Sequence, residues 1–307
     1  MPPSSFPRRM IGLQCPLTAV GGRQLQNSHV VITGPTSGIG RVSALRLAQA
    51  GASLTLLCRN PQKGVQLQQD ILTAGGEAPR VVVMDMASLA SVRQAAQEVL
   101  ELERPVDVLL NNAGVVNNRR CVTGDGFEET LAVNHLAPFL LTGLLLPALR
   151  QAQSARIVNV ASNAHHFVRD MGFDDMQAEQ RYRTFHEYGR SKLANILFTR
   201  ELAQRLAGGG ITVNALHPGA VATAIGTQNG GLAGKLIPLL LKPFFRTPEK
   251  GAETSLYLCT SSEVADVSGA YFYNCRAIEP KPWARDAAAA RRLWEYSEEA
   301  VGFHYEV

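Results

Sequence analysis

Tyr188 and Lys192 stand four residues apart in the stretch from Thr184 to Thr199. On a helix that spacing puts both side chains on one face, about 5–6 Å apart at Cβ. A phenol is a poor base, with an unperturbed pKa near ~10, and exchanging protons near neutrality requires favouring phenolate by roughly 3–4 kcal/mol. One ammonium at ~4 Å in an effective dielectric of ~20 supplies about 4 kcal/mol. A tyrosine with a lysine one turn away is therefore an acid/base unit in principle. Standing alone, the same pattern is an amphipathic residue beside a solvated charge, so its surroundings decide.

A second group of residues is built to hold phosphate. His29, Val30, Val31, Ile32 and Thr33 form a short β-branched run that reads as a buried strand. It leads into Gly34, Pro35, Thr36, Ser37, Gly38, Ile39 and Gly40, followed by helical spacing over 38–50. Glycines at 34, 38 and 40 permit a tight turn, close backbone approach to a pyrophosphate, and close packing of helix on sheet. The helix N-terminus adds unpaired N–H groups and a positive dipole end. The next strand, 54–57, runs into Cys58, Arg59 and Asn60. An acid there would bond a ribose 2′-hydroxyl, whereas an arginine suits a 2′-phosphate, so Arg59 favours NADP(H) over NAD(H).

Composition agrees with a folded domain and excludes several classes. Of 307 residues, 46% are hydrophobic and 18% charged, which allows a sizeable core. A net charge of +4 is too weak and too spread to argue for nucleic acid. The first acidic residue is Asp70, so the phosphate-binding end is basic. Five scattered cysteines without a Cys-x-x-Cys pattern suggest neither zinc nor a disulfide framework, and point to a reduced, cytoplasmic setting. Residues 1–26 read as a poorly ordered extension, not a secretory signal; a transit peptide is the alternative. The longest apolar run, Leu136 to Leu149, is short for a bilayer span and contains Pro138 and Pro147, so no transmembrane anchor is expected.

Strand and helix alternate along the chain. After the first strand and helix and the second strand come a helix over 61–72, a strand over 81–84, a helix over 88–103 and a strand over 106–110. Then follow a long helix over 128–150, a strand over 157–160, the helix over 186–206 carrying Tyr188, a strand over 211–216, a helix over 248–260 and a strand over 270–273. That order predicts an α/β fold: one domain over 27–302, a doubly wound parallel sheet of about seven strands with helices on both faces, and a tail over 303–307.

These segments together resemble the short-chain dehydrogenase/reductase superfamily and, within it, its retinol-dehydrogenase-like members. The resemblance is carried by Thr33 and the glycine loop, by Asn111, Asn112, Ala113 and Gly114, and by Val133, Asn134, His135 and Leu136. Val158 to Ser162, Tyr188 with Lys192, His217, Pro218 and Gly219, and the run Arg291 to Glu295 continue it in family order. It implies that Tyr188 exchanges a proton with a carbonyl or alcohol and that Lys192 lowers its pKa and holds the nicotinamide ribose. It implies that Ser162 bonds the substrate oxygen, and that Asn134 holds a helix irregularity and a water. Asn112, Ala113 and Gly114 would line the cofactor groove, Asp85 and Met86 meet the adenine, and Pro218 and Gly219 pass beside the nicotinamide.

The stretch over 220–247, with Gly226, Gly230, Gly231 and a leucine-rich run ending in Phe244 and Phe245, falls where a substrate cover belongs. It suits an apolar aldehyde, ketone, retinoid or steroid, and contact with a membrane surface is a second use for it. The expectation is an NADP(H)-dependent oxidoreductase; the alternative is a non-catalytic scaffold or redox sensor that keeps the fold. The two long helices allow a homodimer by family analogy.

Overall fold

The structure is a computed structural model describing residues 25–220 and 246–307. Strand β1 (His29–Thr33) is buried at all positions, as a central strand with both faces covered must be. It pairs in parallel with β2 (Ser53–Cys58) on one side and β4 (Val108–Asn111) on the other. The chain therefore reverses its winding beside β1, with β3 (Arg80–Val83) outside β2 and β5 (Ala155–Val160), β6 (Ile211–Leu216) and β7 (Tyr271–Tyr273) following β4. In open α/β sheets, the crevice at the carboxyl ends of strands at such a reversal is where ligands bind.

Helices cover both faces. Apolar residues of α1 (Gly38–Gln49), α2 (Pro61–Thr73) and α6 (Pro248–Thr260) join one core cluster. Those of α3 (Leu89–Leu100), α4 (Glu129–Arg150), α5 (Thr184–Arg205) and α7 (Ala287–Val301) join the other. Local chemistry sets several of the starts. Asn60 accepts from the Lys63 N–H at 2.9 Å with Pro61 in the first turn, and Ser88 accepts from Ser91 at 3.3 Å. Helix α4 is the longest apolar one; by length and composition it could cross a membrane, but 89% of that window is buried inside the fold.

The sheet has eight strands, one more than expected. The addition is β8 (Arg276–Ile278), antiparallel to β7 and joined to it by Asn274 and Cys275, both at positive φ. A two-residue turn with both φ angles positive matches the right-handed strand twist. All three β8 residues are exposed, so no apolar alternation announced it. Helix α7 was also absent from the expected elements. Asp286 caps it by accepting from the Ala288 and Ala289 N–H groups, and Leu293, Trp294 and Val301 face inward. Beyond it, Tyr305 of the expected tail is nearly buried, 4.8 Å from Phe139 between ring centroids. The substrate cover expected over 220–247 lies almost wholly outside the described residues, as does most of the 1–26 extension.

A buried polar ladder ties the sheet to its helices just below the site. The Asn111 amide donates to Thr142 Oγ1 at 3.1 Å and to Asn159 Oδ1 at 2.9 Å. Asn159 in turn donates to Thr199 Oγ1 at 2.9 Å, so β4, β5, α4 and α5 share one network. Removing one member strands its partners without water. Asn159→Ala is expected to lower unfolding free energy by about 1–3 kcal/mol, measured by urea denaturation; a change too small to resolve would show that the ladder is dispensable.

Candidate active site

Four elements converge at the carboxyl ends of the central strands. The first is the glycine turn after β1. Gly34 has φ +62°, and a Cβ there would lie 3.0 Å from Ala113 Cα. A Cβ on Gly40 would sit 2.2 Å from the Gly34 carbonyl oxygen and 2.5 Å from Asn112 Nδ2, so helix and turn approach as closely as glycine allows. Thr33 and Asn112 lock this contact. The Asn112 and Ala113 N–H groups both donate to Thr33 Oγ1 at 3.0 Å, and the Asn112 amide donates to the Thr33 carbonyl at 2.9 Å. Ser37, the residue before α1, makes no side-chain cap, and the first turn carries no acid. The N–H groups at that helix start are thus left for an anion, and a nucleotide pyrophosphate fits the cradle.

At the end of β2, Arg59 is exposed, and Asn60 is occupied as a helix cap. Asp70, the first acid in the chain, is engaged by Arg41 at 2.7 Å. Asp85 and Met86 follow β3; the Asp85 carboxylate accepts from the Ala87 N–H at 3.0 Å, and Met86 is buried. Pro218 and Gly219 follow β6, with Gly219 at φ +83° beside Arg246.

The chemistry-bearing residues meet around α4 and α5. Helix α4 contains a π-helical turn over Ala132–Leu136, and Asn134 sits in it, as expected of a residue holding a helix irregularity. Its side chain accepts from the Val115 N–H at 2.8 Å and donates to the Val115 carbonyl at 3.0 Å. It also donates to Ser191 Oγ at 2.9 Å, and Ser191 donates to the Tyr188 carbonyl at 2.8 Å. Ser191, fully buried, escaped the sequence reading because a serine inside a helix carries no signal of its partner. A Cβ on Gly114 would lie 3.2 Å from Asn134 Oδ1 and 3.3 Å from Lys192 Nζ, which joins the β4 turn to the same cluster.

Tyr188 and Lys192 do share a face, with Nζ 5.7 Å from the phenol ring centroid. Their electrostatics differ from the expectation. Burial lowers Lys192 to about 8, and its ammonium donates to the Val160 carbonyl at 2.9 Å. Burial also raises the Tyr188 phenol above its usual value, against the downward pull of a hydrogen bond with Ser162. A lysine that loses its proton near 8 is already neutral when such a phenol would ionise, so it supplies little of the attraction that spacing alone suggested. The resting phenol is protonated.

Ser162 stands two residues beyond β5 and opens a short 3-10 turn, Asn163–Phe167, its Oγ accepting from the Ala164 N–H at 3.1 Å. Behind it lie His165, Tyr271 and Tyr273, which the sequence reading did not single out, and His217, which it named with Pro218 and Gly219. His165 and Tyr271 are buried with ring centroids 5.3 Å apart, and the Tyr271 phenol is pushed up first by burial and then by the nearby Tyr188. His217 stacks on Tyr273 at 4.2 Å and is lowered to about 4, chiefly by burial. Strand pairing brings these together across more than a hundred residues, beyond the reach of local spacing.

The short chain dehydrogenase family model matches residues 28–230. The chain belongs to the short-chain dehydrogenase family. Its relatives include mouse retinol dehydrogenase 14, 45% identical over 91% of this chain and 87% of that one. Human retinol dehydrogenase 13 is 41% identical over 95% of this chain and 88% of its own. Among solved structures, an uncharacterized protein from Mycobacterium paratuberculosis superposes with a TM-score of 0.74 at 30% identity, covering 93% of this chain and 97% of that one. A candidate NAD(P)-dependent gluconate 5-dehydrogenase from Beutenbergia cavernae, with bound NADP, superposes with a TM-score of 0.66 at 30% identity, covering 82% and 96%. The chain is therefore an oxidoreductase of this family, resembling its retinol dehydrogenases.

In the family fold the glycine turn is a packing element as much as a binding one. Gly40→Ala should weaken NADPH binding at least about tenfold, because its methyl must push the Gly34 carbonyl and Asn112 apart. Fluorescence titration with NADPH checks this; unchanged affinity would mean the close approach is not needed for the cradle.

Proposed function

We propose that the protein is an NADP(H)-dependent oxidoreductase that reduces an apolar carbonyl, of the retinoid, steroid or lipid aldehyde and ketone class, to the alcohol. The observation that carries this is the grouping of a half-buried, protonated Tyr188 with Ser162 and Lys192 at the winding reversal beside the glycine cradle. A bound nicotinamide cofactor supplies the hydride to the carbonyl carbon. Ser162 Oγ bonds the carbonyl oxygen and steadies the charge that develops there. Tyr188 Oη gives that oxygen its proton. Lys192 holds ribose hydroxyls and, charged below about pH 8, steadies the phenolate left on Tyr188 once its proton has gone to the substrate oxygen. Asn134, through Ser191, holds the Tyr188 turn of α5 against the β4 turn.

Arg59 supports the choice of NADP(H): it stands exposed at the end of β2, where an NAD-selective fold carries an acid. The names of the retinol dehydrogenase relatives support an apolar alcohol/carbonyl pair.

Tyr188→Phe should lower reduction of apolar aldehydes by about 10²–10⁴-fold with NADPH affinity kept within about twofold. A parent protein that turns over no aldehyde, ketone or retinoid with either nucleotide would instead make it a binding scaffold. Arg59→Ala should weaken NADPH binding by roughly 10–100-fold and leave NADH unchanged, as loss of a charge-assisted hydrogen bond requires; equal effects on both would remove the 2′-phosphate role.

The pH dependence has a definite sign. The folded-state pKa of Lys192 lies below its usual value, so the ammonium is present below about pH 8 and lost above it, while Tyr188 stays protonated. The kcat/KM for NADPH, which reports the free enzyme, should therefore fall above about pH 8, and Lys192→Met should be slow with that limb missing. A limb that persists in Lys192→Met would assign it to another group.

A further inference from the structure

We propose that His165 is the positioning residue for Ser162, and that Trp283 from the C-terminal segment clamps it in place. This rests on the reading of Ser162 as the group that meets the substrate oxygen. The serine turn is fixed from three sides. From within, the His165 imidazole Nδ1 lies 2.8 Å from the Ser162 carbonyl. That carbonyl can only accept, so the neutral ring must carry its proton on Nδ1. Burial keeps it neutral, with a pKa lowered to about 4. From α5, Gly189 presses on the turn so tightly that a Cβ there would stand 2.7 Å from the Ala164 carbonyl oxygen. From the C-terminal side, the Trp283 indole N–H donates to the His165 carbonyl at 3.1 Å.

The ring itself has no room to turn. His165 is fully buried, set edge-on to Tyr271 at 5.3 Å and to His166 at 4.3 Å. The serine needs this support. Its Oγ already accepts from the Ala164 N–H and bonds the Tyr188 phenol, so a small shift of the turn changes both contacts. Residues of the turn itself, of α5, of β7 and of the segment before α7 thus converge on the turn that carries one hydroxyl. A loop carrying Ser162 without the histidine would keep the residue and lose its aim.

The test compares full-length Trp283→Phe, His165→Leu and His165→Asn with the parent. Asparagine places its Nδ2 at the same bond count from Cα as histidine Nδ1, so it can still donate to the Ser162 carbonyl. Amide hydrogen exchange over 161–168, NADPH affinity, and decanal reduction with NADPH are measured on each. Trp283→Phe should speed exchange over 161–168 by about tenfold and lower kcat by about tenfold, with KM and NADPH affinity within about twofold. His165→Leu should lower kcat further, and His165→Asn should recover most of the loss. Where His165→Leu does not fold, Trp283→Phe and His165→Asn decide the matter. Unchanged exchange and kcat in Trp283→Phe overturn the clamp, and an Asn variant as slow as Leu overturns the hydrogen bond's role. A parent inactive on decanal and on every other carbonyl, with exchange still faster in Trp283→Phe, sinks the oxidoreductase reading and supports the clamp.

Discussion

The constraint on which the site depends is the burial of a lysine. Lys192 is 3% exposed, and water cannot solvate its ammonium. Its hydrogen bond to the Val160 carbonyl at the end of β5 is the partial replacement. That replacement works only where the strand end, the β4 turn at Gly114 and helix α5 are brought together. Three separate parts of the chain are thus committed to one cation, and the cation keeps donors that a bound ribose can use. A surface lysine at the same spacing from Tyr188 would impose none of these demands.

The same economy of space governs the cofactor end. Gly34 and Gly40 face each other so closely that one methyl group would collide with backbone, and Asn112 fills the remaining gap, donating to the Thr33 and Gly34 carbonyls. The turn is therefore stiffened by the strand next to it, not by its own sequence. Stiffness there matters because a phosphate is bound by several N–H groups at once, and each must point correctly before the ligand arrives. The buried Asn111, Asn159 and Thr199 ladder, one layer below, holds the strand ends in the register the turn requires.

Much of this was legible in the residues. The glycine turn between a buried strand and a helix, the Tyr-x-x-x-Lys spacing and the alternation of strand and helix each depend on neighbours in sequence. What was not legible depends on neighbours in space. His165, Tyr271 and Trp283 are ordinary aromatic and imidazole residues until the sheet places them around Ser162. The sign of the Tyr188 shift was misjudged for a related reason: spacing shows that a lysine is near but not how far burial acts on each group, and here it pushes the phenol up and the ammonium down. Strand β8 was hidden because its residues face solvent, whereas α7 has an apolar face, Ala290, Leu293, Trp294 and Val301, whose helical spacing stands in the sequence.

Helix α7 has a consequence for the chemistry although it carries none. It packs along α5 on the side away from the nucleotide, where Trp294 meets Phe139, Phe198 and Tyr305 within about 6 Å. Arg205, in the last turn of α5, lies over the Trp294 ring at 4.2 Å. His135, in the π-turn of α4, bonds Ser297 of α7 at 2.8 Å, so the irregular turn that holds Asn134 is braced by the same helix. The tyrosine is thereby fixed from behind, and the front of α5 is free to present Tyr188 and Lys192 without relying on a bound ligand for order. Rigid support behind a side chain is what proton transfer to a positioned oxygen requires of any donor placed on α5.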